Sequence, residues 1–273
     1  LLAVLVTDET RSGFGSVRVW ASIGWTAVVF LGGWLIGAVG FQADFIGTFV
    51  VKILAMITLL WVTTEGFVEK QPKESMPENL KHVIRGLLRK PVIVAVASLI
   101  FLCGFFNSGV QQFEIVYLSQ LGASELLLGV AAMLGSGLEI PAMFWADRIL
   151  RRRDPYSLLI ITMLIYVALR GFVFGFPSIV TVMIERALNG ISFSFYVVAR
   201  VRFISENTIP SETGTVLALL TTSMIYFYSI FGTSAAGYVF DTLGPRWLYV
   251  IAAFGYLASF VILLTARSRA AKA

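Results

Sequence analysis

The sequence predicts an all-α transmembrane helical bundle, and three observations lead there. First, 58% of the 273 residues are apolar and only 14% are charged, against about 45–50% and about 25% in soluble domains. Second, apolar runs recur at the length of about 20 residues that a helix needs to cross a bilayer. Third, the basic residues gather in short clusters on alternate connections between those runs, which is a membrane topology signal. A water-soluble globular domain, a disordered chain and a disulfide scaffold are excluded on composition. The single cysteine, Cys103, cannot form an internal disulfide, and the single histidine, His82, leaves no multi-histidine metal site. No cofactor is called for. The net charge of +5 belongs to the headgroup-facing loops and does not point to nucleic acid.

Eight full spans can be counted, at roughly 17–39, 44–64, 91–118, 123–146, 155–175, 178–203, 212–239 and 245–266. No segment alternates apolar and polar residues for long, and glycine and aromatic content is high, so helices are predicted over a transmembrane barrel. Spans above 20 residues imply tilt or ends that emerge from the bilayer.

Positive charge sets the orientation. One side holds Arg11 and Arg18, the group Lys70, Lys73, Lys81, Arg85, Arg89 and Lys90, then Arg148 and Arg151 to Arg153, Arg200 and Arg202, and finally Arg267, Arg269 and Lys272. The other side holds only Arg246, and Lys52, Arg170 and Arg186 fall within spans. The basic side is predicted to be cytoplasmic, with a cytoplasmic C-terminus. The expected location is the bacterial cytoplasmic membrane.

The chain opens on Leu1-Leu2-Ala3-Val4-Leu5-Val6-Thr7. Seven residues are too few for a span or a signal-peptide core, and they read as the tail of an earlier helix. One connection is long. Within it, Pro77, Leu80, Val83, Ile84, Leu87 and Leu88 have helical spacing, which predicts a short amphipathic helix on the cytoplasmic face. The organisation expected is a remnant of an N-terminal helical bundle at 1–64, a cytoplasmic connector at 65–90, and a six-helix C-terminal bundle with a short tail at 91–273. Six helices after a long connector suit secondary transporters built from two six-helix halves.

Polar groups inside spans are costly and therefore functional candidates. Lys52 sits near the middle of the second span and calls for an acid, a water cavity or a route to snorkel. Asn107, Gln111 and Glu114 share one face of the third span, by their +4 and +3 spacing. Arg186, Asn189, Phe193, Tyr196 and Arg200 do so on the sixth, and Thr222, Tyr226, Ser229 and Thr233 on the seventh. Such stripes either line a cavity or serve as interhelical hydrogen-bond glue. Glu139 lies two residues before Pro141, which removes a backbone hydrogen bond and opens that turn. It is the candidate proton carrier, with a structural ion pair to Arg186 or another arginine as the plain alternative. Gly33-x-x-x-Gly37 and Gly171-x-x-x-Gly175 permit close packing. There is no HExxH, GxSxG or Walker A pattern, which argues against an enzyme.

Residues 146–153, Ala-Asp-Arg-Ile-Leu-Arg-Arg-Arg, resemble the cytoplasmic Asp-Arg-x-Gly-Arg-Arg loop of the major facilitator superfamily, without its glycine. A closer match runs from Phe14 to Trp25 and is similar to the fifth helix of lactose permease and its relatives. Those relatives include nucleoside:proton symporters and phenylpropionate-permease-like proteins. The chain is thus identified as a major facilitator protein entered near the end of the fourth helix, with the fifth to twelfth helices present. The resemblance implies that Arg18 hydrogen-bonds a solute and that Trp25 stacks on its ring. It implies a cytoplasmic gate at Asp147, Arg148 and Arg152.

The likeness also breaks. Asn107 and Ile225 stand where lactose permease has a charge pair, and Asn189 and Ser192 stand where it has its coupling His and Glu. Arg186 matches a lysine, and Arg170 lies near a coupling arginine. Lactose-type coupling is therefore not carried over.

The function expected is secondary transport of a small polar or aromatic solute, such as a sugar, nucleoside or aromatic acid, by a proton symporter that is monomeric at full length. Arg18, Trp25, Asn107, Gln111, Asn189 and Tyr226 would bind the solute. Glu139, Arg186 and Arg170 would couple protons or form an ion pair. A non-transporting scaffold or degenerate fragment is the main alternative, and a membrane enzyme or a channel the second.

Overall fold

The computed structural model describes residues 14–40, 42–61, 84–87 and 89–270, and within them the chain is helical with no strand. The helices are α1 (Phe14–Val39), α2 (Gln42–Leu60), α3 (Pro91–Gln120), α4 (Glu125–Leu150), α5 (Pro155–Gly175), α6 (Ile179–Asn207), α7 (Pro210–Leu217), α8 (Met224–Leu243) and α9 (Arg246–Ala270). A π-helical turn, Ala218–Ser223, joins α7 to α8 without a break. The first thirteen residues and most of the connector, including Lys70, Lys73, Lys81 and His82, lie outside the described residues. Of the expected amphipathic helix only 84–87 is described, and it is helical.

Local chemistry starts several of these helices. Pro91, Pro155 and Pro210 each occupy the first turn, where a missing N–H costs nothing. Asp154 caps α5 by accepting from the N–H groups of Tyr156 (3.2 Å) and Ser157 (3.0 Å), and Ser178 caps α6 through Thr181 N–H at 3.1 Å. Gly244 ends α8 at φ +92°, a conformation that favours glycine.

Among the described residues, six helices are long and apolar enough to cross a membrane, all from Pro91 onward. Of the eight full spans expected, six are therefore found among the described residues. Over their described residues α1 and α2 carry shorter apolar stretches, Val19–Val28 and Phe45–Thr58.

The helices after residue 90 pack in an arc. α3 packs on α8 and α9, α9 on α5, α5 on α6, α6 on α4, and α4 on α1, with α2 beside α1. The core runs through Leu99, Leu118, Met143, Leu159, Met163, Ile204 and Leu263, all essentially inaccessible. Packing between such side chains, rather than escape from water, holds helices together in lipid. α2 differs: Phe45, Phe49, Leu60 and Trp61 face outward, an apolar exterior suited to hydrocarbon.

Small residues set the rotation of each helix. A Cβ on Gly190 of α6 would run into the Gly135 carbonyl of α4. On Gly232 of α8 it would sit 2.7 Å from Ser108 Oγ, and on Gly109 of α3 2.7 Å from Ala236 Cβ. Gly171 and Gly175 have open space around them, so the spacing that suggested close packing is not used for it on α5.

Two basic residues are held by hydrogen bonds at one end of the bundle. Lys90 Nζ donates to the Asn207 carbonyl (2.9 Å), and Arg267 Nη1 donates to Ser157 Oγ (3.1 Å). Arg246 lies at the opposite end, with Nε donating to the Phe174 carbonyl at 2.6 Å.

Candidate functional site

Between the two ends lies a cavity of about 420 Å³, bounded by α1, α3, α4, α5 and α6. Trp25 and Ser22 reach it from α1, Gln111 and Glu114 from α3, Glu139 from α4, Arg170 from α5, and Arg186, Asn189 and Phe193 from α6. Five different helices therefore supply its polar lining. Its walls carry two carboxylates and two guanidinium groups, so the charge balances.

The pairing is specific. Arg186 Nη1 donates to Glu114 Oε2, and its Nε donates to the Ala131 carbonyl. Tyr249 Oη of α9 donates to the other oxygen of Glu114 at 3.0 Å. Arg170 Nη1 donates to Glu185 Oε1, and its Nη2 donates to Asn189 Oδ1 at 3.0 Å. Arg170 is 2% exposed and Glu185 fully buried. Charges at such depth persist only when paired and hydrogen-bonded. Glu139 Oε2 accepts from Ser22 Oγ at 2.9 Å, which ties α4 to α1 across the cavity mouth. Ser194 Oγ donates to the Glu139 carbonyl at 3.1 Å, just before Pro141, which stands inside α4.

This pattern bears on half of the ion-pair alternative for Glu139. Arg186 pairs with Glu114 and not with Glu139. The close approach at Gly190 and Gly135 brings Arg186 beside the turn of α4 that precedes Glu139, while its head extends to α3.

A second compartment of about 250 Å³ continues from the first toward the basic end. Gln111, Asn189 and Phe193 line both. Asn107 lies here, 6% exposed, together with Tyr196 and Arg200 of the α6 stripe and Tyr228 of α8. Tyr226 lines neither space and is 67% exposed. The reason is the contact of α8 with α3: Gly232 and Ala236 must face α3, and Tyr228, one turn earlier, shares that face. The stripe through Tyr226 and Ser229 then turns outward.

Other candidates fall elsewhere. Arg18 lies on α1, but its side chain is outside the described residues. Lys52 is exposed on α2, away from both compartments. Asp147, Arg148 and Arg152 cluster at the C-terminal end of α4, with both arginines exposed and Asp147 half-buried. No group of residues that could hold a metal occurs among the described residues.

Sequence reasoning missed Glu185, Ser22, Tyr249 and Tyr228. A signal for Glu185 existed. Arg170 stands five residues before the end of α5 at Gly175, and Glu185 six after the start of α6 at Ile179. At 1.5 Å per residue both sit roughly 8–9 Å from a short hairpin loop, hence at one depth.

The comparisons agree with this architecture. Among curated proteins, the chain is similar to the uncharacterized transporter YwbF of Bacillus subtilis (strain 168), 20% identical over 257 residues. That alignment covers 94% of this chain and 62% of the relative. It is also similar to the maltose permease of Geobacillus stearothermophilus, 26% identical over 168 residues, covering 61% of this chain and 41% of the permease. The chain thus spans less than two thirds of the length of these relatives. Residues 1–251 match the MFS_1 like family. With its helical architecture, its charge-balanced central cavity and that match over most of its length, the chain belongs to the MFS_1 like family.

Proposed function

We propose that the protein is a secondary active transporter moving a small polar or aromatic solute, such as a sugar, nucleoside or aromatic acid, by alternating access. The observation that carries this reading is the cavity inside the bundle, which reaches mid-helix at Glu139 and Phe193 and is walled by paired charges, amide side chains and two aromatic rings. Binding sites of secondary transporters sit at that depth, at the junction of rocking helix bundles. On this reading the helices of 1–64, two of them full spans, belong to one bundle, 65–90 is the connector, and 91–273 forms the other, giving eight spans in all. The basic end is cytoplasmic.

Trp25 offers a flat face to a ring, while Gln111 and Asn189 offer amide groups to hydroxyls. The maltose permease among the relatives puts a disaccharide among the solutes to try. Glu139 is the proton carrier in this proposal. It faces the cavity where α1 meets α4, and protonation changes what it can accept from Ser22. A proton-linked change in that contact would bias one bundle against the other.

The test is uptake into proteoliposomes under an imposed proton gradient, with radiolabelled maltose, uridine and 4-hydroxybenzoate offered separately. Saturable, gradient-dependent accumulation of one of them is the expected result. Glu139→Gln should abolish accumulation while leaving solute exchange intact. Unchanged accumulation in that variant would remove Glu139 from the role, and no saturable flux of any solute would favour the scaffold reading.

A further inference from the structure

Arg200 is the guanidinium that the charge-balanced network leaves out. Arg170 and Arg186 each hold a carboxylate. Among the described residues, Arg200 has none and no carboxylate lines the second compartment. Its Nη1 donates to Tyr196 Oη at 3.1 Å, and its guanidinium lies 4.8 Å from the centre of that ring. Its Nε is buried and makes no hydrogen bond. The head is therefore folded inward on a tyrosine rather than extended to the bilayer surface, as a snorkelling arginine would be.

A second orphan lies in the same compartment. Asn107 is 6% exposed, and its Oδ1 is buried without a donor. One space thus holds a cation lacking an anion and an acceptor lacking a donor. Buried polar groups left this way are destabilising unless something completes them. A ring contact compensates a desolvated guanidinium only in part. The rest of the wall is aromatic: Tyr166 and Tyr256 stack at 4.5 Å, and Tyr228 covers Gly104.

We propose that this compartment is an anion subsite for a small aromatic carboxylate. The carboxylate takes Arg200, whose planar fork matches it. The ring lies among the tyrosines, and a hydroxyl on the solute donates to Asn107 Oδ1. The assignment deepens the transporter reading by naming the solute class and a second station on its path. It rests on that reading only in treating the compartment as part of the path, since binding itself needs no transport.

The protein carries its own reporter. Cys103 is the sole cysteine, and it lines this compartment. Alkylation of purified protein by N-ethylmaleimide, followed by intact mass, reads that one thiol. At ten times its dissociation constant, 4-hydroxybenzoate should slow labelling about tenfold. The neutral 4-hydroxybenzyl alcohol, acetate and inorganic phosphate should slow it far less. Arg200→Gln should abolish the protection, and Arg200→Lys should restore part of it.

Equal protection by the alcohol would overturn the anion assignment. Equal protection by acetate or phosphate would overturn the aromatic one, and undiminished protection in Arg200→Gln would overturn the role of Arg200. If the buried thiol does not react, equilibrium dialysis of radiolabelled 4-hydroxybenzoate replaces it, and no binding to the unaltered protein sinks the proposal. Protection without transport of any solute removes the transporter reading alone. Transport without protection removes this subsite alone.

Discussion

Two arginines on α6 hold carboxylates under opposite conditions. Arg186 meets Glu114 inside the bundle, where the carboxylate is 6% exposed. Arg202 meets Glu206 near the helix end at 2.7 Å, with both side chains more than a third exposed. The residue types match, yet the pairs do different work. The outer pair forms within one helix and is screened by its surroundings, so its loss removes little. The inner pair joins α6 to α3 and is completed by Tyr249 from α9. Its loss would take from a charge in the bundle its direct partner. Location, rather than the chemistry of the pair, therefore separates an ornament of the helix surface from a tie between helices.

The largest expected effect is at the deeper pair behind the cavity. Glu185→Ala leaves Arg170 buried without its carboxylate and should cost about 3–5 kcal/mol. The protein should lose its cooperative thermal transition in detergent, and Arg170→Met combined with Glu185→Leu should recover most of it. If the double variant were as damaged as the single one, the uncompensated charge would not be the cause.

Tyr249→Phe keeps the ring and removes one donor to Glu114. About 1.5–3 kcal/mol should disappear, as for hydrogen bonds to charged groups, readable as a lower Tm. An unchanged Tm would mean that Arg186 alone satisfies Glu114. Gly190→Ala forces a methyl onto the Gly135 carbonyl, and overpacking of this kind costs about 1–3 kcal/mol. Here the readout is geometric as well: a cross-link between α4 and α6 should weaken if the helices part. Equal cross-linking with unchanged stability would show that the contact yields freely.

Arg202→Ala marks the low end. A loss of about 0.3–0.5 kcal/mol is expected, typical of an exposed pair four residues apart. A loss comparable to that of Glu185→Ala would erase the distinction between inner and outer pairs.

Much of this fold was legible because bilayer crossing imposes length and continuity on apolar runs. The expected spans from 91 and from 155 begin where the helices do, with a proline in each first turn. The polar faces of α3 and α6 were legible too, since the spacing of Asn107, Gln111 and Glu114, and of Arg186, Asn189 and Phe193, places each set on one side of its helix. On α8 the same rule and the two compartments select different residues. The rule found a stripe through Tyr226, while the cavity receives Tyr228. Spacing states which residues share a face but not which way that face turns.

The sequence by itself therefore determined the helical class, the membrane-spanning lengths, the clustering of positive charge and the faces on which polar groups collect. Each of these depends on neighbours along one helix. Tertiary structure alone decided that Arg186 takes Glu114 instead of Glu139, that Arg170 takes Glu185, and that Arg200 takes no carboxylate among the described residues. Those outcomes depend on the rotation and depth of one helix against another. Here they are set where glycines let backbones touch, at Gly190 on Gly135 and at Gly232 on Ser108, and no spacing within a single helix encodes the partner across that contact.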